Sequence, residues 1–279
     1  MSSRPIVLSI AGFDPSSGAG ITADVKTAAA LGCYAVTCIS ALTVQSTQGV
    51  FEVQPARPEL VRNTLFRLGD DLAIAAVRIG MLGSGEVAEV VADFLGQSKL
   101  RNVVLDPVLR SSSGANLIDP PALAVICSWL LALCDVITPN LDEAAELANE
   151  APGAILSSDP WEDALPRIRS LATKLHEMGG RGVVITGGHL SEANDYLSVL
   201  DADGRTERIF PGSRLASQAT HGTGCAFATA LACGLARGQR LPEAVLGAKE
   251  FVRKAIASAY PVGKGTGPMN HLFRLDELP

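Results

Sequence analysis

With 279 residues, 47% of them hydrophobic and 19% charged, the chain has ample sequence for a core and the balance of a soluble globular protein. A net charge of −6 argues against nucleic acid or an anionic membrane surface as the main partner, since both attract basic patches. Any anionic ligand must then be met locally, by backbone N–H groups and a few cations. Aromatic residues are only 5%, so the core should consist largely of Ala, Val, Leu and Ile.

In chain order, "PIVLSIAG" (5–12) reads as a buried strand followed by the polar loop "FDPSSGAG", and "AGITADVKTAAALG" has helical spacing and ends on Gly32. "YAVTCISALTV" (34–44) is a second strand, rich in β-branched residues, and "FEVQP" a short third. "RPELVRNTLFRLGDD" is a helix with Pro58 near its start. Then come strand "AAVRIGML", helix "GEVAEVVADFLGQS" and strand "NVVLDPVL" (102–109). "PPALAVICSWLLALC" reads as one helix, "DVITPN" as a strand and "LDEAAELANE" as a helix. A helix over 160–178 precedes strand "RGVVITGG", a hairpin of "DYLSVL" and "GRTERIF", and helices from about 222 and 242.

This alternation predicts an α/β fold with a mostly parallel central sheet and helices on both faces. The chain has no repeat, low-complexity linker or composition break, so residues 1–279 are expected to form one domain. No apolar run reaches membrane-spanning length, and the first is too short and loop-bound for a signal peptide, so a cytoplasmic location is expected. Six cysteines (33, 38, 127, 134, 225, 233) form no CxxC pair, and most read as small buried residues of a reduced protein.

Ligands of such sheets bind at the carboxyl ends of the strands. The residues placed there are 12–20, Gln45, Met81, 106–108, Asn140, 186–189 and 221–225. "GFDPSSGAG" is neither GxGxxG nor a Walker loop; it suits an anion at a helix start or a tight turn. The missing GxGxxG excludes a nicotinamide oxidoreductase. Asn140 and Glu143 have the spacing of a capping box, compatible with a carboxylate near Mg²⁺. Asp106 leaves a buried strand, as a metal or phosphate-site carboxylate or as a loop cap. Thr186 with two glycines suits a nucleotide phosphate or ribose, or a simple turn.

"ATHGTGCAFA" carries the strongest chemistry. Gly222, Thr223, Gly224 and Cys225 present N–H groups at a helix start, a cradle for charge on a transferring phosphoryl group. The same position should lower the Cys225 thiol below its usual pKa of about 8.5, letting it take a proton from a hydroxyl. His221 and Cys225 lie four apart, but no second His/Cys pair at workable spacing supports zinc, and a merely structural cysteine remains open.

Taken with "SIAGFDPSSGAGITADVKTAAALGCYAVTCISALTVQSTQGV", "IGML", "VVLDPV", "ITPNLDEAAEL", "GGHL" and "GKGTGPMNH", the chain resembles the hydroxymethylpyrimidine/phosphomethylpyrimidine kinases of thiamin biosynthesis, in the ribokinase-like superfamily. The resemblance spans nearly the whole chain. It implies a ribokinase-like three-layer fold, ATP and Mg²⁺ as cofactors, a homodimer, and phosphorylation of an aminopyrimidine alcohol and then of its monophosphate. It places Gly12, Ala19, Thr43, Gln45, Met81 and Val108 around the pyrimidine, with Gln45 hydrogen-bonding the ring. Asp106 and Glu143 would organise Mg²⁺, and Asn140, Thr186 and Lys249 would serve ATP. Gly222, Thr223 and Gly224 would form the anion hole and Cys225 the base. The chain has Ser112 and Thr186 where the family usually has lysines, and Ala219 where it has Asn; Arg110 is the cation expected to compensate. Pyridoxal kinase, and a non-catalytic pyrimidine sensor, are the alternatives.

Overall fold

A computed structural model describes residues 4–111, 114–153, 159–188 and 190–275; Ser112 and His189 lie outside them. Its elements are β1 (Ile6–Phe13), α1 (Gly20–Ala30), β2 (Tyr34–Ser46), β3 (Gly49–Pro55), α2 (Pro58–Asp71), β4 (Ile74–Ile79), α3 (Gly85–Ser98), β5 (Val103–Leu105), α4 (Pro120–Val125), β6 (Val136–Ile137), α5 (Leu141–Leu147), α6 (Trp161–Glu177), β7 (Gly182–Ile185), β8 (Asp195–Asp201), β9 (Gly204–Phe210), α7 (Thr223–Ala236) and α8 (Leu241–Ala257).

The strands form one sheet in the order β3-β2-β1-β4-β5-β6-β7-β8-β9. From β2 to β7 all neighbours run parallel; β3, β8 and β9 add antiparallel edges. Alternate residues of β1 divide between two cores. Leu8 and Ile10 pack with Val91 and Phe94 of α3, Leu65 of α2 and Leu171 of α6. Val7 packs with Ala28 of α1, Leu231 of α7 and Phe251 of α8. The period of two along a strand makes this division, and a helical layer on each face follows. Both cores are dominated by Ala, Val, Leu and Ile, as the sparse aromatics predict.

Two expected elements are shorter. The strand over 102–109 ends at Leu105, because Pro107 offers no N–H and the chain leaves the ladder at Asp106, whose N–H still reaches the Ile79 carbonyl at 2.8 Å. The single helix expected from Pro120 stays α-helical only to Val125, then widens to a π-turn (Ile126–Leu130) and tightens to a 3₁₀ turn (Leu131–Leu133). Within it the Ser128 hydroxyl donates to the Ala124 carbonyl at 2.7 Å, a back-bond that bends helices. Four of the six cysteines (33, 38, 134, 233) are buried, and Cys127 and Cys225 are half-buried.

Candidate active site

The loop before α7 is shaped by one glycine. Gly222 has φ of +79°, and a Cβ there would run into the Gly18 carbonyl. Only glycine tolerates both demands, so the loop after β1 and the start of α7 close against each other. Among the described residues the Gly224 and Cys225 N–H groups in the first turn of α7 have no backbone acceptor, while that of Thr223 meets the Thr220 carbonyl at 3.4 Å. Gly224 lies beside Asp106: the nearest atom a Cβ there would meet is Asp106 Oδ1, at 3.8 Å.

Beneath this turn lies a buried charge cluster whose centre the sequence reading missed. Arg78, on β4, is 0% exposed and donates from Nη1 to Asp24 Oδ2 (3.1 Å) and from Nη2 to Asp106 Oδ2 (2.6 Å). The Cys225 thiol lies near enough to feel its charge. Asp24 is held from behind by the Ser9 hydroxyl (2.5 Å) and the Thr229 hydroxyl (2.7 Å). A charge inside an otherwise apolar strand, "AAVRIGML", and an aspartate inside "ITADVKTAAA" were the available signals. Such charges are buried only with partners.

The expectation of a lowered Cys225 thiol does not hold. Burial pushes the thiol up to about 12, with Asp106 and Asp24 adding to it against Arg78 and the Gly20 N–H. The helix start is real, but a thiol enclosed beside two carboxylates loses more from desolvation than it gains from N–H dipoles. His221 Nε2 lies 2.8 Å from Asp14 Oδ2, and among the described residues no group of His, Cys, Asp and Glu gathers as a metal site, so the i, i+4 spacing forms no shared ligand pair there.

Asn140 and Glu143 make the capping box at the start of α5: each side chain accepts from the other's backbone N–H at 2.9 Å. Glu143 is raised to about 8, by burial first and then by the Asp106 charge. Asp106 is raised to about 6, chiefly by burial, with Arg78 opposing. The capping box is therefore present, with Glu143 near enough to Asp106 to feel its charge. Thr186 bridges Asn140, its N–H reaching the Pro139 carbonyl at 3.0 Å. Lys249 pairs with Asp195 on β8 (2.7 Å) and donates to the Ala193 carbonyl, and Asp195 also accepts from the Gly187 N–H, so the lysine joins this end indirectly. Arg110, the cation expected to compensate, has a side chain 54% exposed and pairs with Glu146 at 3.4 Å.

At the other end, Asp14 organises the loop after β1. Its carboxylate accepts from Ser16 (N 2.8 Å, Oγ 2.7 Å), Gly18 N (3.1 Å) and Ala19 N (2.9 Å). Burial works against the charge, but the bonds from His221, Ser16 and Ala19 prevail and hold it at about 2. His221 Nε2 is also 3.2 Å from Gln45 Nε2, and the Thr43 hydroxyl is 3.0 Å from the Phe13 carbonyl and 3.1 Å from Gln45 Oε1. Gly12 pairs with Ala41, which packs with Met81 and Val108. Gly12, Ala19, Thr43, Gln45, Met81 and Val108 thus gather around one end of the cleft. The segment at 264–268 closes against it: the Lys264 and Gly265 N–H groups donate to Thr47 Oγ1, and the His221 N–H donates to the Gly267 carbonyl.

A half-buried hydrogen-bonding pocket beside a helix-start anion cradle and paired carboxylates is the layout of a small-molecule phosphotransferase. The architecture is that of the ribokinase-like fold: an ADP complex of pyridoxal kinase from Bacillus subtilis aligns with a TM-score of 0.84 at 31% identity, covering 98% of this chain and 100% of that one. The chain belongs to the phosphomethylpyrimidine kinase family, which matches residues 14–270, and it is a kinase. It is 39% identical to the hydroxymethylpyrimidine/phosphomethylpyrimidine kinase of Haemophilus influenzae, over 97% of this chain and 98% of that protein. It is also 39% identical to a bifunctional thiamine biosynthesis protein of Geobacter sulfurreducens, over 99% of this chain but only 54% of that protein, so it spans about half of that relative.

Proposed function

We propose that this single-domain chain transfers the γ-phosphoryl group of ATP to the hydroxymethyl oxygen of an aminopyrimidine, then to the resulting monophosphate, in thiamin biosynthesis. The carrying observation is the position of Cys225, between the cradle of α7 and the buried Arg78–Asp106 pair. The pyrimidine binds among Gly12, Ala19, Thr43, Gln45, Met81 and Val108, where Gln45 offers its amide to the ring. Asn140, Thr186 and Lys249 serve the nucleotide, and Gly222, Thr223 and Gly224 hold the charge on the moving phosphoryl group.

In the first step the substrate oxygen forms a bond to the γ-phosphorus, the bond to the β-phosphate oxygen breaks, and ADP leaves. The Cys225 thiol first gives up its own proton to solvent, and the thiolate then takes the hydroxyl proton. At rest the thiol holds its own proton, because burial first, and then the Asp106 and Asp24 charges, push it up to about 12 against Arg78. Neutralising the Asp106 charge would remove one of these causes. In the second step the nucleophile is already a phosphate anion and needs little base help.

Among the described residues no three His, Cys, Asp or Glu side chains gather as a metal site, but a pair of carboxylates suits a cation that also takes phosphate oxygens. Asp24 and Asp106 flank Arg78, and the two carboxylates that border the cleft, Asp106 and Glu143, resist ionising together. Oxygen donors of this kind suit Mg²⁺, which would be held by Asp106 and Glu143 and would neutralise charge on the transferred group.

The homodimer implied by family likeness finds support in Leu42 and Val44 of β2 and Phe51 of β3, which are 51%, 56% and 69% exposed on the sheet edge. Light scattering on Phe51→Asp, expected to be a monomer, tests it. A cytoplasmic location is in keeping with the lack of any membrane-spanning helix among the described residues. The pyridoxal reading is favoured by the structural likeness to a pyridoxal kinase. ADP release measured in parallel with hydroxymethylpyrimidine, its monophosphate and pyridoxal decides: pyrimidine turnover is expected, and preferential pyridoxal turnover would overturn it. No turnover with any of the three would leave a non-catalytic sensor.

A further inference from the structure

We infer that Arg78 is a positioning residue for phosphoryl transfer, acting through Asp106 and Cys225 from beneath the cleft. This rests on the reading of Cys225 as the base. The guanidinium is fully buried, so it reaches neither solvent nor substrate directly. Each terminal nitrogen is committed, Nη1 to Asp24 and Nη2 to Asp106, and Asp24 also meets Thr229, whose hydroxyl lies on the Cys225 carbonyl. The fork and its Asp24–Thr229 backing thereby tie the Asp106 carboxylate to the turn of α7 that carries Cys225, more than a hundred residues away in sequence.

Three further features serve this placement. Asp24 lies on the far side, 0% exposed, and is anchored by the Ser9 and Thr229 hydroxyls, so the arginine has a fixed back wall. Thr229 Oγ1 also lies 2.8 Å from the Cys225 carbonyl, one turn back on α7, which ties the wall to the thiol's own helix. Gly80, two residues on from Arg78, leaves the space the guanidinium fills: a Cβ there would overlap Nη1. Ser9, Asp24, Arg78 and Gly80 are therefore a support behind the reacting groups, comparable to the outer partners that orient metal ligands.

A buried cation of this kind cannot be judged by one truncation, since the fully buried Asp24 would lose its partner. The test uses Asp24→Asn with Arg78→Gln together, which removes one charge of each sign, and Arg78→Lys, which keeps the charge. The double variant should melt cooperatively within about 5 °C of the parent. Its kcat on the alcohol should fall about a hundredfold, the scale of a general base lost. Its kcat on the monophosphate should fall about tenfold, with KM for both nearly unchanged, because only Asp106 serves that step. Arg78→Lys should recover both rates to within about tenfold.

The Cys225→Ala background separates the two readings. There the Asp24→Asn/Arg78→Gln pair should lower the two rates equally, since the route through the thiol is gone. A folded double variant whose two rates fall by the same factor with Cys225 present, while Cys225→Ala alone lowers the alcohol rate selectively, overturns the role of Arg78 and leaves the base standing. Equal losses in Cys225→Ala alone overturn the base, and the thiol route for Arg78 with it.

Discussion

The two ends of the cleft handle charge in opposite ways. Around Asp14 the single carboxylate is saturated by Ser16, Gly18, Ala19 and His221 and stays ionised down to a pKa of about 2. Around Arg78 two carboxylates, Asp24 and Asp106, share one cation, and Asp106 and the neighbouring Glu143 are raised to about 6 and about 8. The pocket end is complete before anything binds, as suits shape-selective recognition of a small neutral ring. The catalytic end is electrostatically unfinished, and its missing positive charge is what a cation on the phosphates would supply. Hydrogen bonds satisfied within the fold give rigidity, whereas charge left over gives affinity for the reacting partner.

Removing charge at the unfinished end should have the largest effect. Asp106→Asn is expected to lower kcat about a thousandfold for both the alcohol and the monophosphate, because it touches charge stabilisation common to both. An ADP-release assay reads it, and a loss confined to one substrate would contradict the shared role. Cys225→Ala should lower the alcohol step by about a hundredfold and the monophosphate step by less than about tenfold.

Changes at the complete end should act on stability and affinity. The folded-state pKa of Asp14 lies below its ordinary 3.8, so its contribution is fully present above about pH 4 and is lost as pH falls through about 2. Asp14→Asn should cost about 2 kcal/mol at pH 7, measured by urea unfolding, and the difference from the parent should vanish near pH 2. The smallest effect is expected for Gln45→Ala: KM for the pyrimidine rises about tenfold, one hydrogen bond to the ring, with kcat little changed.

Much of this was legible in the residues. The alternation of apolar runs with amphipathic segments predicts the parallel sheet and both helical layers, and nearly every strand and helix begins within a few residues of its expected place. The strand-end rule brought Gly12, Gln45, Met81, Asp106, Asn140, Thr186 and Cys225 to one edge before any coordinate was known, since topology alone gathers strand ends. "TPNLDE" dictated its capping box because the two bonds are local, three residues apart.

What depended on distance in the chain was not legible. Arg78 looked like one charge in a strand, and only the meeting of α1, β4, β5 and α7 revealed Asp24, Asp106 and Cys225 around it. The direction of the Cys225 shift followed the same logic. A helix start is a local feature and favours a thiolate, but enclosure and the neighbouring carboxylates are products of packing and reverse it. Sequence alone therefore determined the elements, their layering and the residues brought to the cleft, because periodicity, caps and turn glycines act within a few residues. Tertiary structure decided which of those residues are charged, which are braced and by whom, because desolvation and pairing exist only once remote segments exclude water together.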